Sequence, residues 1–178
     1  MILIRNNRIS PIGTTMSFIC TSHRQHILSS VETANQYWGK WIEQGMKRLN
    51  QKNPNEGISF FGCALDVADW LIDQPHTYQL NQLNEYFEKL SLSSFLLAEC
   101  FLRVNRPDLE LHFLLQLHHR LLDSKGAQQN MQWPLSGYIR QSLERLEAYV
   151  EDHGEFKGYN ECLIETEYQL EELNLTLN

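Results

Sequence analysis

The stretch that decides the fold is residues 38–72, WGKWIEQGMKRLNQKNPNEGISFFGCALDVADWLI. Apolar residues recur every three or four positions on both sides of Asn53-Pro54, which is the pattern of amphipathic helices. Asn53 can accept a hydrogen bond from a first-turn N–H, and Pro54 suits a first helical position, where its missing N–H does no harm. The stretch therefore predicts two helices joined by a short turn, which makes them run antiparallel.

Two further joints of this kind lie at residues 105–107, Asn-Arg-Pro, and at residues 154–156, Gly-Glu-Phe. Each of them separates two segments with helical periodicity. We therefore predict an all-α fold of about seven helices in antiparallel helix-turn-helix pairs. The serines within residues 91–94 leave two alternatives open: a break that starts a new helix at Phe95, or one long bent helix.

The N-terminal part of the chain differs from the rest. Residues 1–28 lack helical periodicity, whereas the chain from Ser29 onward shows it. Ser29 and Glu32 have the spacing of a capping box at the start of a helix. We therefore predict a single helical domain over residues 29–178 and a short non-helical extension over residues 1–28. For that extension a β-hairpin and a disordered segment both stay open, because its short β-prone runs flank turn residues.

Composition limits the classes of function. The chain has 178 residues, 42% of them hydrophobic, which is enough for one domain with its own core. Its 15 basic and 22 acidic residues give a net charge of −7, which disfavours nonspecific binding to nucleic acid and to anionic membranes. No apolar run reaches the about 18 residues that membrane insertion needs. The four cysteines lack Cys-x-x-Cys spacing, so we expect reduced thiols and a cytoplasmic location.

The segment from residue 38 to residue 72 resembles a tetratricopeptide unit. In that family a large aromatic residue, a small residue four positions later, and an aromatic residue and an alanine on the second helix allow two helices to pack closely. The residues at those spacings here are Trp41, Gly45, Phe61 and Ala64. Gly57 fits a small-residue position, whereas Arg48 and Asp69 depart from the aromatic residue and the proline that are usual there. The resemblance implies a right-handed stack of helical hairpins in which Trp41 packs against Phe61.

A second likeness lies in residues 95–122. The sequence of residues 98–102, AECFL, followed by a turn and an apolar helix, is similar to the last repeat of type III secretion translocator chaperones. Those are small acidic cytosolic tetratricopeptide proteins, and their middle repeat has no counterpart here. Pro54 and Pro107 also lie 53 residues apart, not the about 34 of a regular array. The resemblance implies a non-enzymatic adaptor or chaperone that binds a peptide or a partner protein.

By the same resemblance, the inner face of the first helix of each unit would carry the ligand. The residues at those positions are Gly39, Ile42, Met46 and Leu49 in the first unit and Leu92, Phe95, Glu99, Leu102 and Arg103 in the second. An apolar groove edged by a few charges suits a peptide with hydrophobic anchors. The alternative is that these side chains are core, covered by residues 1–28 or by the last helix. A homodimer formed through an apolar helix face is a further alternative.

Signatures of chemistry are weak. The sequence has no nucleophile elbow, phosphate loop or dinucleotide fingerprint, so we expect no catalytic residue and no cofactor. His112 and His119 share one helix face, which suggests a regulatory or metal-binding helical bundle as the alternative function. A solvated polar face explains the same stripe, and the Glu-x-x-His pairs of di-iron bundles are missing. Cys20, His23 and His26 have a spacing compatible with zinc but no matching second pair. We predict no metal site.

Overall fold

The computed structural model describes residues 17–74, 80–124 and 132–175. These residues form seven α-helices and no strand, which confirms the all-α prediction. The helices are α1 (Thr21–Ile27), α2 (Val31–Asn50), α3 (Pro54–Ile72), α4 (Leu80–Arg103), α5 (Pro107–Asp123), α6 (Gln132–His153) and α7 (Tyr159–Leu175). None of these helices is both long enough and apolar enough to cross a membrane.

The predicted joints at Pro54 and Pro107 form, and they share one backbone geometry. Lys52 and Asn105 both have a φ of 58°, the left-handed conformation that commonly ends a helix. In each case the next residue donates its N–H five positions back: Asn53 to the carbonyl of Arg48 at 3.0 Å, and Arg106 to that of Phe101 at 2.9 Å. The proline then opens the following helix. Because such bonds are local, the sequence was sufficient to predict both turns.

Two predicted details of the helices change or resolve. The N-cap of α2 is Ser30 and not Ser29, because Ser30 has the extended backbone of a cap and its Oγ accepts from Thr33 N at 3.1 Å. Helix α4 runs unbroken through the serine cluster, as the alternative of one long helix required. Ser93 donates its hydroxyl to the carbonyl of Lys89 at 2.7 Å, so the serine is satisfied within the helix and does not end it.

The prediction of a non-helical extension over residues 1–28 is wrong for Thr21–Ile27, which form α1. This helix has a single buried residue, Ile27, so no apolar periodicity marked it in the sequence. Ile19 and Ile27 are buried in one cluster with Val67 and Leu71 of α3, which makes this segment part of the domain. The β-hairpin and the disordered segment were also predicted for residues 1–16. These residues lie outside the described part of the chain.

Gly45 is where the backbone of α2 meets Phe61 of the first core cluster. A Cβ at Gly45 would lie 2.5 Å from Cε1 of Phe61, so the aromatic ring rests directly on the backbone of α2. Phe61 belongs to a cluster that runs through α3, α4 and α5. Trp41 packs in the second cluster, with its ring centroid 5.5 Å from that of Tyr37. The predicted packing of Trp41 on Phe61 is thus corrected: glycine, with no side chain, admits the Phe61 ring one turn further along.

The helices form two layers. Packing follows the chain from α2 to α3, α3 to α4, α4 to α5, α5 to α6 and α6 to α7. The first helices of the hairpins also contact one another: Trp38 of α2 donates its indole N–H to Ser93 of α4 at 3.0 Å, and Tyr138 of α6 donates its hydroxyl to the carbonyl of Asn84 of α4 at 3.3 Å. In the other layer, Arg120 of α5 donates to Asp69 of α3 at 2.7 Å.

Candidate partner-binding surface

The face that the sequence singled out includes three exposed apolar side chains. Met46 on α2 and Leu92 and Leu102 on α4 are 38%, 39% and 40% exposed. Large apolar side chains this exposed are few in the described residues, and half of them belong to the predicted set. The members are Val31, Met46, Leu92, Leu102, Ile164 and Tyr168.

Polar contacts fix the register between α2 and α4. Lys89 donates its ammonium to Asn35 Oδ1 at 2.8 Å, across 54 residues, and the bond from Trp38 to Ser93 spans 55 residues. From the first bond to the second, the residue number rises on both helices, so the two helices run parallel. The same offset places Met46 level with residues 100 and 101 of α4. Met46 and Leu102 therefore lie near the same end of the two helices.

Part of the predicted set is core. Leu49 is buried in the first cluster and is 7% exposed, so its assignment to a ligand surface is corrected. Ile42 and Phe95 are half-buried against that cluster. The guanidinium of Arg145 lies 5.2 Å from the ring centroid of Phe95, which partly covers it. These positions are covered because α3 and α6 approach them. Helical periodicity in the sequence does not show which neighbouring helix covers which part of an apolar face.

The remaining predicted positions are open or charged. Gly39 is exposed, and nothing lies within 4 Å of a Cβ built on it. Glu99 and Arg103 form an ion pair one turn apart, with 2.7 Å between Oε1 and Nε, and both side chains are more than a third exposed. Such a pair contributes only tenths of a kcal/mol to helix stability, so a charged partner can replace it at little cost.

Lys89 and Trp38 set this register, and the sequence pattern did not reveal their roles. Lys89 is only 6% exposed, and its ammonium lies 5.1 Å from the ring centroid of Trp38 and forms an ion pair with Glu85. The ammonium of an almost fully buried lysine is removed from water, so it needs such partners in place of the lost hydration. The sequence does offer one signal: Lys89 stands at a position, between Tyr86 and Ser93, where the helical period of α4 places apolar residues.

His118 is a second buried polar group that the sequence did not reveal. It is 0% exposed, with Nδ1 2.8 Å from Ser142 Oγ of α6 and Nε2 2.8 Å from Thr166 Oγ1 of α7. Burial lowers the pKa of His118 to about 4, and repulsion from His119 adds to the effect. A neutral imidazole thus ties α5 to α6 and α7, which is a structural task.

The candidate metal residues do not come together. His112 and His119 are exposed on α5. Within residues 17–74, 80–124 and 132–175 no three His, Cys, Asp or Glu side chains are placed to hold a metal ion. Cys20 and His23 do meet, with 2.8 Å between Sγ and Nδ1. Hydrogen bonds from Ser22 and then from His23 lower the pKa of the exposed Cys20 thiol to about 7.

Comparison of the chain with protein-family models, with curated proteins and with solved structures finds no match. The exposed apolar side chains on α2 and α4, and the contacts that hold these helices parallel, are therefore the observations from which a function is inferred.

Proposed function

We propose that this chain is a non-enzymatic protein–protein interaction module, an adaptor or chaperone in the cytoplasm, that binds a partner peptide on α2 and α4. The observation that carries the proposal is the exposure of Met46, Leu92 and Leu102, 38–40%, on two helices held parallel by partly buried polar contacts. A rigid pair of helices presents these side chains in fixed positions, so a ligand does not have to order them.

The spacing of the exposed residues indicates what kind of ligand fits. Leu92 and Leu102 are ten residues apart on one helix, about 15 Å at 1.5 Å per residue. A ligand that contacts both has to span nearly three helical turns, either as a helix of similar length or as an extended segment of about five residues. Glu99 lies between them along α4 and Arg103 directly follows Leu102, so the surface offers one negative and one positive charge to charged residues of the ligand.

The proposal includes a tetratricopeptide-like right-handed stack of the hairpins α2/α3, α4/α5 and α6/α7. It is supported by the offset between successive first helices, which is 54 residues from Asn35 to Lys89 and again from Asn84 to Tyr138. The identical turns before Pro54 and Pro107 also support it. An experimental structure in which successive hairpins twist with the opposite hand would overturn this part of the proposal.

The test begins with partners identified by mass spectrometry after purification of the untagged wild-type chain from its native cells. Binding of each purified partner is then measured by calorimetry for Leu102→Asp and for the control Ile164→Asp. Ile164 is 66% exposed on α7, away from the proposed surface. We expect Leu102→Asp to weaken binding at least tenfold with an unchanged thermal melt, because a charge is placed where an apolar contact forms. Equal affinities for the two variants would contradict the proposal.

A further inference from the structure

A separate site lies between α3 and α5, and this chain's own residues occupy it. The ring of Phe18 sits on Gly62 so closely that a Cβ there would lie 2.2 Å from Phe18 Cδ1. On the other side the ring centroid of Phe18 is 6.0 Å from that of Phe113 of α5. The two helices thus form a slot for an aromatic ring, and only glycine at position 62 leaves room for it.

The carboxylate of Asp66 binds the backbone and the hydroxyl of residues 17–19. Oδ2 of Asp66 accepts hydrogen bonds from Phe18 N at 2.7 Å, from Ile19 N at 2.8 Å and from Ser17 Oγ at 3.0 Å. Hydrogen bonds to an ionised acceptor are among the stronger ones. Asp66 follows Gly62 by one helical turn, so the carboxylate and the floor of the slot share a face of α3.

We propose that the slot formed by Gly62, Asp66 and Phe113 is a peptide-binding site that exchanges its ligand. Its ligand class is a short non-helical segment with a hydroxyl residue, an aromatic residue and an aliphatic residue in succession. Ser17, Phe18 and Ile19 occupy the site in cis, and the same class of segment on a partner protein binds by displacing them. The site lies on the layer of second helices and is therefore separate from the surface on α2 and α4.

The chemistry of the ligand follows from the occupant. Asp66 accepts from two successive backbone N–H groups, so a proline at either of those two positions is excluded. The ring of Phe18 fills the space above Gly62, so an aromatic side chain is required there. The third contact of Asp66 is the Ser17 hydroxyl, which threonine also supplies.

Exchange involves a short segment that a few side chains hold in place. Besides Phe18 these are Ile19 and Ile27, which are 5% and 4% exposed, and α1, a helix of seven residues, has no buried member other than Ile27. A tethered segment acts at an effective concentration in the millimolar range, so a free peptide competes poorly with it in the wild-type chain. Phe18→Ala removes the ring and leaves the slot, so this variant is expected to admit the peptide.

The test uses the full-length chain and a fluorescent peptide, TTMSFISTSHR, which is residues 14–24 with serine in place of Cys20. We expect the Phe18→Ala variant to bind it at least tenfold more tightly than wild type, as measured by fluorescence anisotropy. Adding Asp66→Asn to Phe18→Ala should abolish binding, and so should alanine in place of phenylalanine in the peptide. Absent binding to Phe18→Ala, or binding that Asp66→Asn leaves unchanged, overturns the proposal.

A second measurement needs no variant and covers the case in which Phe18→Ala does not fold. Hydrogen exchange of the wild-type chain reports how often the segment opens without global unfolding. We expect the amides of Phe18 and Ile19 to exchange at least tenfold faster than the slowest amides of α3. Equal protection would show that the segment leaves only when the domain unfolds, and exchange of ligands would then be ruled out.

Discussion

His118 makes the packing of the last three helices sensitive to acid. Its buried imidazole contacts Ser142 on α6 and Thr166 on α7, and its pKa is lowered from 6.5 to about 4. The unfolded chain therefore takes up a proton at a higher pH than the folded chain does. The resulting stabilisation is fully present above pH 6.5 and is lost as the pH falls towards 4.

The size of the effect follows from these two pKa values. One pKa unit corresponds to 1.36 kcal/mol, so the full loss is about 3 kcal/mol. Of this, about 2 kcal/mol is lost between pH 7 and pH 5, where most of the unfolded chain becomes protonated and the folded chain does not. Against a typical domain stability of about 5–15 kcal/mol, a loss of this size is readily measured.

His118→Leu isolates the contribution of the imidazole. Both hydroxyls keep a partner in the variant, because the carbonyl of Ile139 lies 2.8 Å from Ser142 Oγ and that of Cys162 lies 2.7 Å from Thr166 Oγ1, so each hydroxyl can donate to a carbonyl once the imidazole is gone. The cost of the substitution at pH 7 is therefore expected to stay near about 1 kcal/mol, that of one lost hydrogen-bond partner. At pH 5 the variant should retain about 2 kcal/mol that wild type loses.

Urea unfolding followed by circular dichroism at pH 7 and pH 5 measures both quantities. The exposed His112, substituted by asparagine, is the matched control and should follow wild type at both pH values. If wild type and His118→Leu lose the same free energy of unfolding between pH 7 and pH 5, the assignment of a neutral buried imidazole is refuted.

Two further predictions concern packing and thiol reactivity. Gly45→Ala should destabilise the chain by about 1–3 kcal/mol in urea unfolding, because the new Cβ would lie 2.5 Å from Phe61. Gly39→Ala on the same helix meets open space and should stabilise by up to about 1 kcal/mol, and the reverse order would contradict the packing at the α2–α3 crossing. At pH 7 iodoacetamide should modify Cys20 well before Cys63, since burial raises the pKa of Cys63 to about 11 and that of Cys20 is about 7. Peptide mapping by mass spectrometry measures this order, and faster modification of Cys63 would contradict it.

What the sequence predicted correctly depends on interactions between near neighbours in the chain. The turn before Pro54 consists of a left-handed residue, a capping asparagine and a proline, all within three positions, so the turn could be predicted from the sequence. Which of Met46 and Leu49 is exposed could not be predicted from the sequence. Both lie on the apolar side of α2, but Leu49 packs into the first core cluster and is 7% exposed, whereas Met46 is 38% exposed.

Two of the polar features that the sequence did not reveal show the same long-range character. Asp66 meets Phe18 across 48 residues, and His118 meets Thr166 across 48 residues. Neither pair leaves a periodic pattern, because a single carboxylate or imidazole satisfies partners on other elements. Such contacts become visible only when the helices are placed against each other.

The two layers of helices explain how one small domain can hold two ligand sites. In the first layer, Asn35 and Lys89 fix α2 beside α4, so Met46 and Leu102 stay exposed near one end. In the second layer, α3 and α5 stand apart by the width of the Phe18 ring. The two sites share no residue, although Phe113 of the second site belongs to the first core cluster and Phe18 packs against it. A partner on α2 and α4 contacts none of residues 17–19, so it can bind while they remain in place.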